Sequence, residues 1–250
     1  MSRANPAVAR CLYVLDYGLF EVHENGRVIG IPGYLIRTVT GHAILVDTGF
    51  PKAYADDAAR AGLRDGLGSF GRVLKLTREN LPAAQLEQAG LTPADITHLV
   101  LTHSDIDHVG GLEDFPQATL IVGRAERALE RPRYFGDRSP ITWPEGMDLQ
   151  LVDGDSELLP GVTLLATPGH SPGHLSLLVR LPSGPVLLTA DAISRPAELE
   201  EGFSGAWEPL QARASAERLM ALAQAEGAWL IYGHDPAQWQ TLRKAPDLYA

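Results

Sequence analysis

Residues 101–111 read LTHSDIDHVGG and follow directly on the apolar segment ITHLV at 96–100. Within six consecutive positions they hold four side chains able to ligate a metal or move a proton: His103, Asp105, Asp107 and His108. The preceding run, THLVLTH, has the length and branched content of a buried strand. The cluster therefore falls in the loop at a strand's C-terminal end, where α/β folds gather their chemistry. Working outward, three more potential ligands stand at the ends of apolar runs: His170 closing GVTLLATPGH, Asp191 closing PVLLTAD, and His234 in AWLIYGHD.

Of eight histidines, five (His103, His108, His170, His174 and His234) lie at or just past such strand ends. A lone histidine there is most simply a hydrogen-bonded loop residue. A set of five is different, because strand-end loops on one sheet edge converge in space while unrelated surface histidines fall anywhere. His98 inside a strand, His42 in a hairpin turn and His23 in the turn HENG serve as contrasts and take no role.

A chain of 250 residues with 45% hydrophobic content can bury a large core. Nothing in it reads as a linker, repeat or low-complexity segment, so a single domain over 1–250 is expected. The net charge of -10 argues against surfaces for nucleic acid or anionic lipid, which need clustered Lys and Arg, and favours a small-molecule partner. Cys11 is the single cysteine, which excludes an internal disulfide framework. The N-terminal stretch lacks a signal-peptide apolar region, and no apolar run approaches the roughly 20 residues of a membrane span. The expectation is a soluble, cytoplasmic protein without membrane contact; an oligomer is left open.

Strands are predicted at CLYVLDYGLFEV, GYLIRTV, HAILVDTG, THLVLTH and ATLIVG, then as two pairs, LQLVDG with GVTLLATPGH and LSLLVRL with PVLLTAD, and last at AWLIYGHD. Helices are predicted at Asn80–Ala89 with Asn80 as cap, at AERALER, and at LQARASAERLMALAQAEG; Thr92 is expected to cap one further turn.

These motifs together resemble the metallo-β-lactamase superfamily. Its core HxHxDH pattern, after a strand and before GG, matches His103-Ser104-Asp105-Ile106-Asp107-His108 followed by Gly110 and Gly111; LVDTG with Asp47 matches its first motif, and TPGHSPGH, TADA and YGHD match the rest, in order. The resemblance spans roughly residues 30 to 240 and implies a four-layer αββα sandwich of α/β (α+β) class with two metals at the sheet edges. It further implies that His103, Asp105 and His170 ligate one ion and Asp107, His108 and His234 the other, that Asp191 bridges, and that Asp47 and His174 orient ligands from behind. A turn residue is an equally simple reading of Asp47, and a buried supporting histidine a simpler one of His174. Two divalent ions, zinc first, would hold a hydroxide between them that attacks a carbonyl or phosphoryl group.

Within the superfamily the segments IPGYLIRTVTGHAILVDTGFP, LEQAGLTPADITHLVLTHSDIDHVGGL, TLIVGRAE, TPGHSPGHLSLL and YGHDPAQ most resemble the N-acyl homoserine lactonases. That likeness implies a hydrolase that opens a lactone, an ester bond, with Asp107 and Asp191 in the catalytic machinery. Two positions depart from it. Asp105 stands where the pattern has histidine: with Asp105, Asp107 and Asp191 ionised, two divalent ions and one hydroxide sum to zero charge, whereas histidine leaves +1. A less positive centre acidifies water less and tolerates manganese or iron better, which implies weaker zinc selectivity and a higher pH optimum. The alternative is that Asp105 points away and a single metal binds. Ser194 stands where the lactonases place a substrate-contacting tyrosine, and its hydroxyl is shorter.

For the substrate, Ile106 is expected as a floor residue, with Ser194, Tyr134, Phe203 and Trp207 beside it; the aromatics, Phe135 and Trp143 included, equally suit anchors under long loops. A glyoxalase II-like thioesterase would share the metals but adds a C-terminal helical domain, and only 16 residues follow His234. A phosphodiesterase would want more basic residues near the site. A non-hydrolytic metal-binding or redox protein is the alternative of another class.

Overall fold

The computed structural model describes residues 8–132 and 142–250. Seven strands form one sheet: β1 (Ala9–Val22), β2 (Val28–Thr38), β3 (Ala43–Val46), β4 (Gly71–Lys75), β5 (His98–Leu101), β6 (Thr119–Gly123) and β7 (Leu149–Val152). Their spatial order is β4-β1-β2-β3-β5-β6-β7, antiparallel from β4 to β3 and parallel from β3 to β7. The second sheet holds β8 (Ser156–Leu159), β9 (Val162–Ala166), β10 (Leu175–Leu181), β11 (Gly184–Ala190) and β12 (Trp229–Tyr232), ordered β12-β11-β10-β9-β8.

Strands that read as unbroken apolar runs do so because each sheet is covered on both faces. In β3, Ala43 and Leu45 enter one core while Ile44 and Val46 enter another, the period-2 alternation of a pleat. The first core lies between the seven-stranded sheet and the helices Ala58–Asp65 and Pro82–Gln88, which contribute Ala61 and Leu86. The second lies between the sheets, where Val14, Ile36, Val46 and Val100 meet Leu164, Leu177, Val179 and Leu188. The third packs Leu165, Leu178 and Leu187 against Ala216, Leu219 and Ala223 of the helix Pro209–Glu226. Three cores between four layers make the αββα sandwich. Each fully buried aliphatic side chain contributes about 1.5–3 kcal/mol, whereas helices of four to eight residues are marginal alone. Sheet packing, more than helix propensity, therefore fixes where the loops at the strand ends stand.

Several local expectations are corrected. LQLV forms β7 on the first sheet and VTLLA forms β9 on the second, so the two do not pair; β9 pairs with β8 and β10 instead. β10 and β11 form the expected hairpin, with Leu181 opposite Gly184. Asn80 does not cap a helix. It closes a 3-10 turn, accepting from Thr77 and donating to the Asp16 carbonyl, and the helix begins at Pro82. AERALER holds only one helical turn, Arg124–Arg127. No helix among the described residues is long and apolar enough to cross a membrane.

The paired glycines after the metal-type motif have a steric cause. A Cβ on Gly110 would lie 2.0 Å from the Phe50 carbonyl carbon and 2.1 Å from the Pro51 nitrogen, because the Gly110 N–H donates to the Gly49 carbonyl at 2.7 Å. Backbone cannot retreat as a side-chain tip does. Gly110→Ala is expected to cost about 2–3 kcal/mol and to lower the thermal midpoint by roughly 4–12 °C; a melting curve within a degree of the parent's would contradict the close contact.

Candidate metal centre

Five strands end on one edge of the sandwich and deliver the site. β3 leads into Asp47, β5 into His103–His108, β9 into His170, β11 into Asp191 and β12 into His234. Two non-glycine residues among those described have positive φ, and both stand at these exits: Asp47 at 60° and Ala190, directly before Asp191, at 45°. Such conformations cost about 1–3 kcal/mol for non-glycine residues and persist where the surroundings over-determine them.

The side chains meet in two donor clusters, His103 with His170 and Asp191, and Asp107 with His108 and His234; within each, one ligand atom per residue lies within 4.8 Å of the others. Asp191 faces both. Its Oδ2 is 3.6 Å from His170 Nε2 and 3.9 Å from His103 Nε2, while its Oδ1 is 3.2 Å from His234 Nε2 and 3.9 Å from His108 Nε2. Asp107 Oδ2 is 3.6 Å from both His108 Nε2 and His234 Nε2. Asp105 turns inward, with Oδ2 3.2 Å from His170 Nε2 and 3.6 Å from His103 Nε2. Ligands held about 2.0–2.2 Å from a shared tetrahedral ion stand roughly 3.3–3.6 Å apart, and these separations scatter about that range.

At His103, His108 and His234 the nitrogen that faces away from the centre, Nδ1, is already committed, which leaves Nε2 for a cation. His108 Nδ1 donates to Asp47 Oδ2 at 2.9 Å. Thr102 donates to Asp47 twice, from its N–H at 2.8 Å and its hydroxyl at 2.7 Å. The Thr102 oxygen in turn accepts from His103 Nδ1 at 3.1 Å, so Asp47 orients two of the imidazoles, one directly and one through Thr102. His234 Nδ1 donates to the Gly30 carbonyl at 2.9 Å. His174, fully buried, accepts the Asp191 N–H on Nε2 at 3.1 Å and bonds Thr167 Oγ1 through Nδ1 at 2.8 Å. It supports Asp191 from behind.

Burial alone would raise the carboxyls of Asp105 and Asp191. The histidines outweigh it, His103 and His170 at Asp105 and foremost His234 at Asp191, and hold both well below the usual range. Burial likewise opposes charge on His108 and His234. Asp107 and Asp47 nevertheless push His108 up to about 10, and Asp191 with Asp107 pushes His234 up to about 9. At His174 burial and the neighbouring His103 and His170 act together and keep the ring neutral. A proton on a ligating nitrogen must leave before a cation binds, so loading this site releases protons.

The chemistry of the donors tests what fits here. His103 Nε2, His108 Nε2 and Asp191 Oδ1 are buried without a hydrogen-bond partner, a cost that native interiors avoid unless something fills the gap between such atoms. Imidazole and carboxylate donors at these spacings suit divalent zinc, manganese or iron.

The residues expected to meet substrate fall differently. Ile106 is 1% exposed and belongs to the first core, so it offers no floor to an open cleft. Phe203 is half-buried against the third core, an anchor. Trp143 is buried and donates to the Leu129 carbonyl. Trp207 is 60% exposed, and its backbone N–H donates to the His170 carbonyl at 3.1 Å, which places it at the rim. Ser194 accepts the His234 N–H on its carbonyl at 2.7 Å and ties the two strand-end loops together. Tyr134 and Phe135 lie outside the described residues. Sequence reading passed over Thr102, Gly30 and Glu126, whose partners are remote in the chain; only the adjacency of Thr102 to His103 offered a signal.

The fold and the strand-end donors agree with the family comparison: the model of the metallo-beta-lactamase superfamily matches residues 27–245, and the chain belongs to that superfamily. Within it, the chain is similar to the N-acyl homoserine lactonases. It is 35% identical to AiiA of Bacillus thuringiensis subsp. kurstaki over 89% of this chain and 88% of that relative. It is 34% identical to AttM of Rhizobium johnstonii over 96% and 98%. The solved structure of an N-acyl homoserine lactone hydrolase with the product N-hexanoyl-L-homoserine at its catalytic metal center has a TM-score of 0.83 and 31% identity, covering 97% of this chain and 100% of that one.

Proposed function

We propose that this protein is a metal-dependent lactonase that opens N-acyl homoserine lactones at a centre of two divalent ions. The observation that carries the reading is Asp191, whose two oxygens face two separate clusters of histidine and carboxylate, in a chain similar over most of its length to lactonases. When bound, the ions supply Lewis acidity and a water acidified enough to attack at neutral pH. His103, Asp105 and His170 would hold one, Asp107, His108 and His234 the other, and Asp191 would serve both. Asp105, His170 and Asp107 have side chains about one-fifth exposed, against none for His103, so substrate enters over them. Water adds to the ring carbonyl and the ester C–O bond breaks; Asp107 takes the proton from the attacking water and returns it to the leaving alkoxide.

The test is a panel of acyl homoserine lactones, thioesters and phosphodiesters, run after chelation and after metal is restored. Lactone opening that disappears and returns is expected; turnover confined to another class, or none, overturns the reading.

Asp105 completes the first cluster in this proposal and makes the centre more neutral than histidine would. Asp105→His is expected to raise the ratio of zinc to manganese and iron in the purified protein and to move the pH profile toward acid, since a more positive centre acidifies water further. Metal analysis and pH-rate curves measure both, and coincident results for the two proteins would remove the proposed role.

A further inference from the structure

Glu126 is fully buried on the helical turn that follows β6, and nothing in the chemistry above uses it. Ser104 stands between the ligands His103 and Asp105. Its N–H donates to Glu126 Oε1 at 3.0 Å, and its hydroxyl donates to the same oxygen. The other oxygen, Oε2, accepts the Gly173 N–H at 3.1 Å. Gly173 lies in the loop that carries His170 and His174. One carboxylate thus spans the two loops that deliver His103, Asp105 and His170.

Two glycines make that reach sterically feasible. A Cβ on Gly123 would lie 2.0 Å from the Gly173 carbonyl oxygen, and a Cβ on Gly173 would lie 2.3 Å from the Glu126 nitrogen. Glu126 makes no such contact with the described residues of the other cluster, where His108 is oriented by Asp47 and His234 by the Gly30 carbonyl; Asp47 reaches the first cluster only indirectly, through Thr102 to His103.

We infer that Glu126 is a positioning residue for one of the two clusters: it fixes the distance between the 103–105 and 170–174 loops, and its loss weakens the His103/Asp105/His170 ion selectively. The inference rests on the two-ion reading above. It needs acceptors on both oxygens, because each loop offers only donors to it. An amide has one acceptor and can serve one loop only.

The experiment is stepwise competition of cobalt(II) against a chelator in wild type, Glu126→Gln, Glu126→Ala and Gly173→Ala, with no hydrolysis assay involved. In Glu126→Gln one of two equivalents is expected to weaken by about 10–100-fold while the other stays within about twofold. Long-range nitrogen–proton spectra of the imidazoles under zinc should assign the loss to His103 and His170. Gly173→Ala should reproduce it from the opposite side of the clamp, and Glu126→Gln, nearly isosteric, keeps the test alive if Glu126→Ala does not fold. Equal weakening of both equivalents, no weakening, or a lower melting temperature with unchanged stepwise affinities would each overturn the assignment. A wild type that takes up fewer than two equivalents overturns the two-ion reading first and this inference with it, before any substitution is made.

Discussion

Asp191→Ala is expected to lower kcat/KM for lactone opening at least about 1,000-fold, which corresponds to roughly 4 kcal/mol of transition-state stabilisation, and to cost the protein at least one metal equivalent. The size of the effect follows from the position of the side chain. Among the described residues its oxygens are the only ones that face both clusters, at 3.6 Å from His170 Nε2 on one side and 3.2 Å from His234 Nε2 on the other. Without them two sets of imidazoles remain in a buried space with less anionic charge to offset bound cations, and the two clusters lose the carboxylate they share. Asp191→Asn separates charge from shape. It keeps one acceptor oxygen and the backbone N–H that donates to His174, so the fold around it should persist while the bridge fails. Metal content per chain and steady-state rates on the same preparations decide the matter. Two retained equivalents with a rate within tenfold of wild type would show that Asp191 does not join the clusters.

The parts of this architecture legible in the sequence were those set by local pattern. Strand positions followed from apolar runs, and the convergence of His103, His108, His170 and His234 followed from their place after those runs. Which sheet a strand joins is not local: β7 and β9 look alike as short apolar runs, and only their partners, β6 for one and β8 with β10 for the other, place them in different sheets. The same limit applied around the centre. Glu126 sits in AERALER, which reads simply as a helix, yet its acceptor oxygens meet donors 22 and 47 residues away. Ile106 was misread for a related reason: Asp105, Asp107 and His108 beside it face the donor clusters, but the helical turn Ile106–Val109 sends Ile106, with Val109, into the first core.

Asp47 offers the second large effect, and its two substitutions separate stability from metal binding. Its carboxylate is 1% exposed and accepts three hydrogen bonds, two from Thr102 and one from His108. Asp47→Ala strands those donors in the interior, at about 1–3 kcal/mol for each left unsatisfied, and also places alanine at a φ of 60° that aspartate tolerates better. A loss of several kcal/mol in stability is expected, together with weaker metal binding. Asp47→Asn keeps the volume and one acceptor, which can still serve Thr102. Its amide, however, turns a donor toward His108 Nδ1, and two donors cannot share that contact. The imidazole then does better as the other tautomer, with its proton on Nε2, the atom that faces Asp107 and Asp191 and would bind the ion. The asparagine variant should therefore melt close to wild type in chelator yet bind metal at least about 10-fold more weakly, whereas the alanine variant loses both. Melting curves in chelator and competition titrations give the two quantities independently. If Asp47→Asn held both equivalents at wild-type affinity, the hydrogen bond to His108 would be a support for the loop and would play no part in presenting Nε2 to the metal.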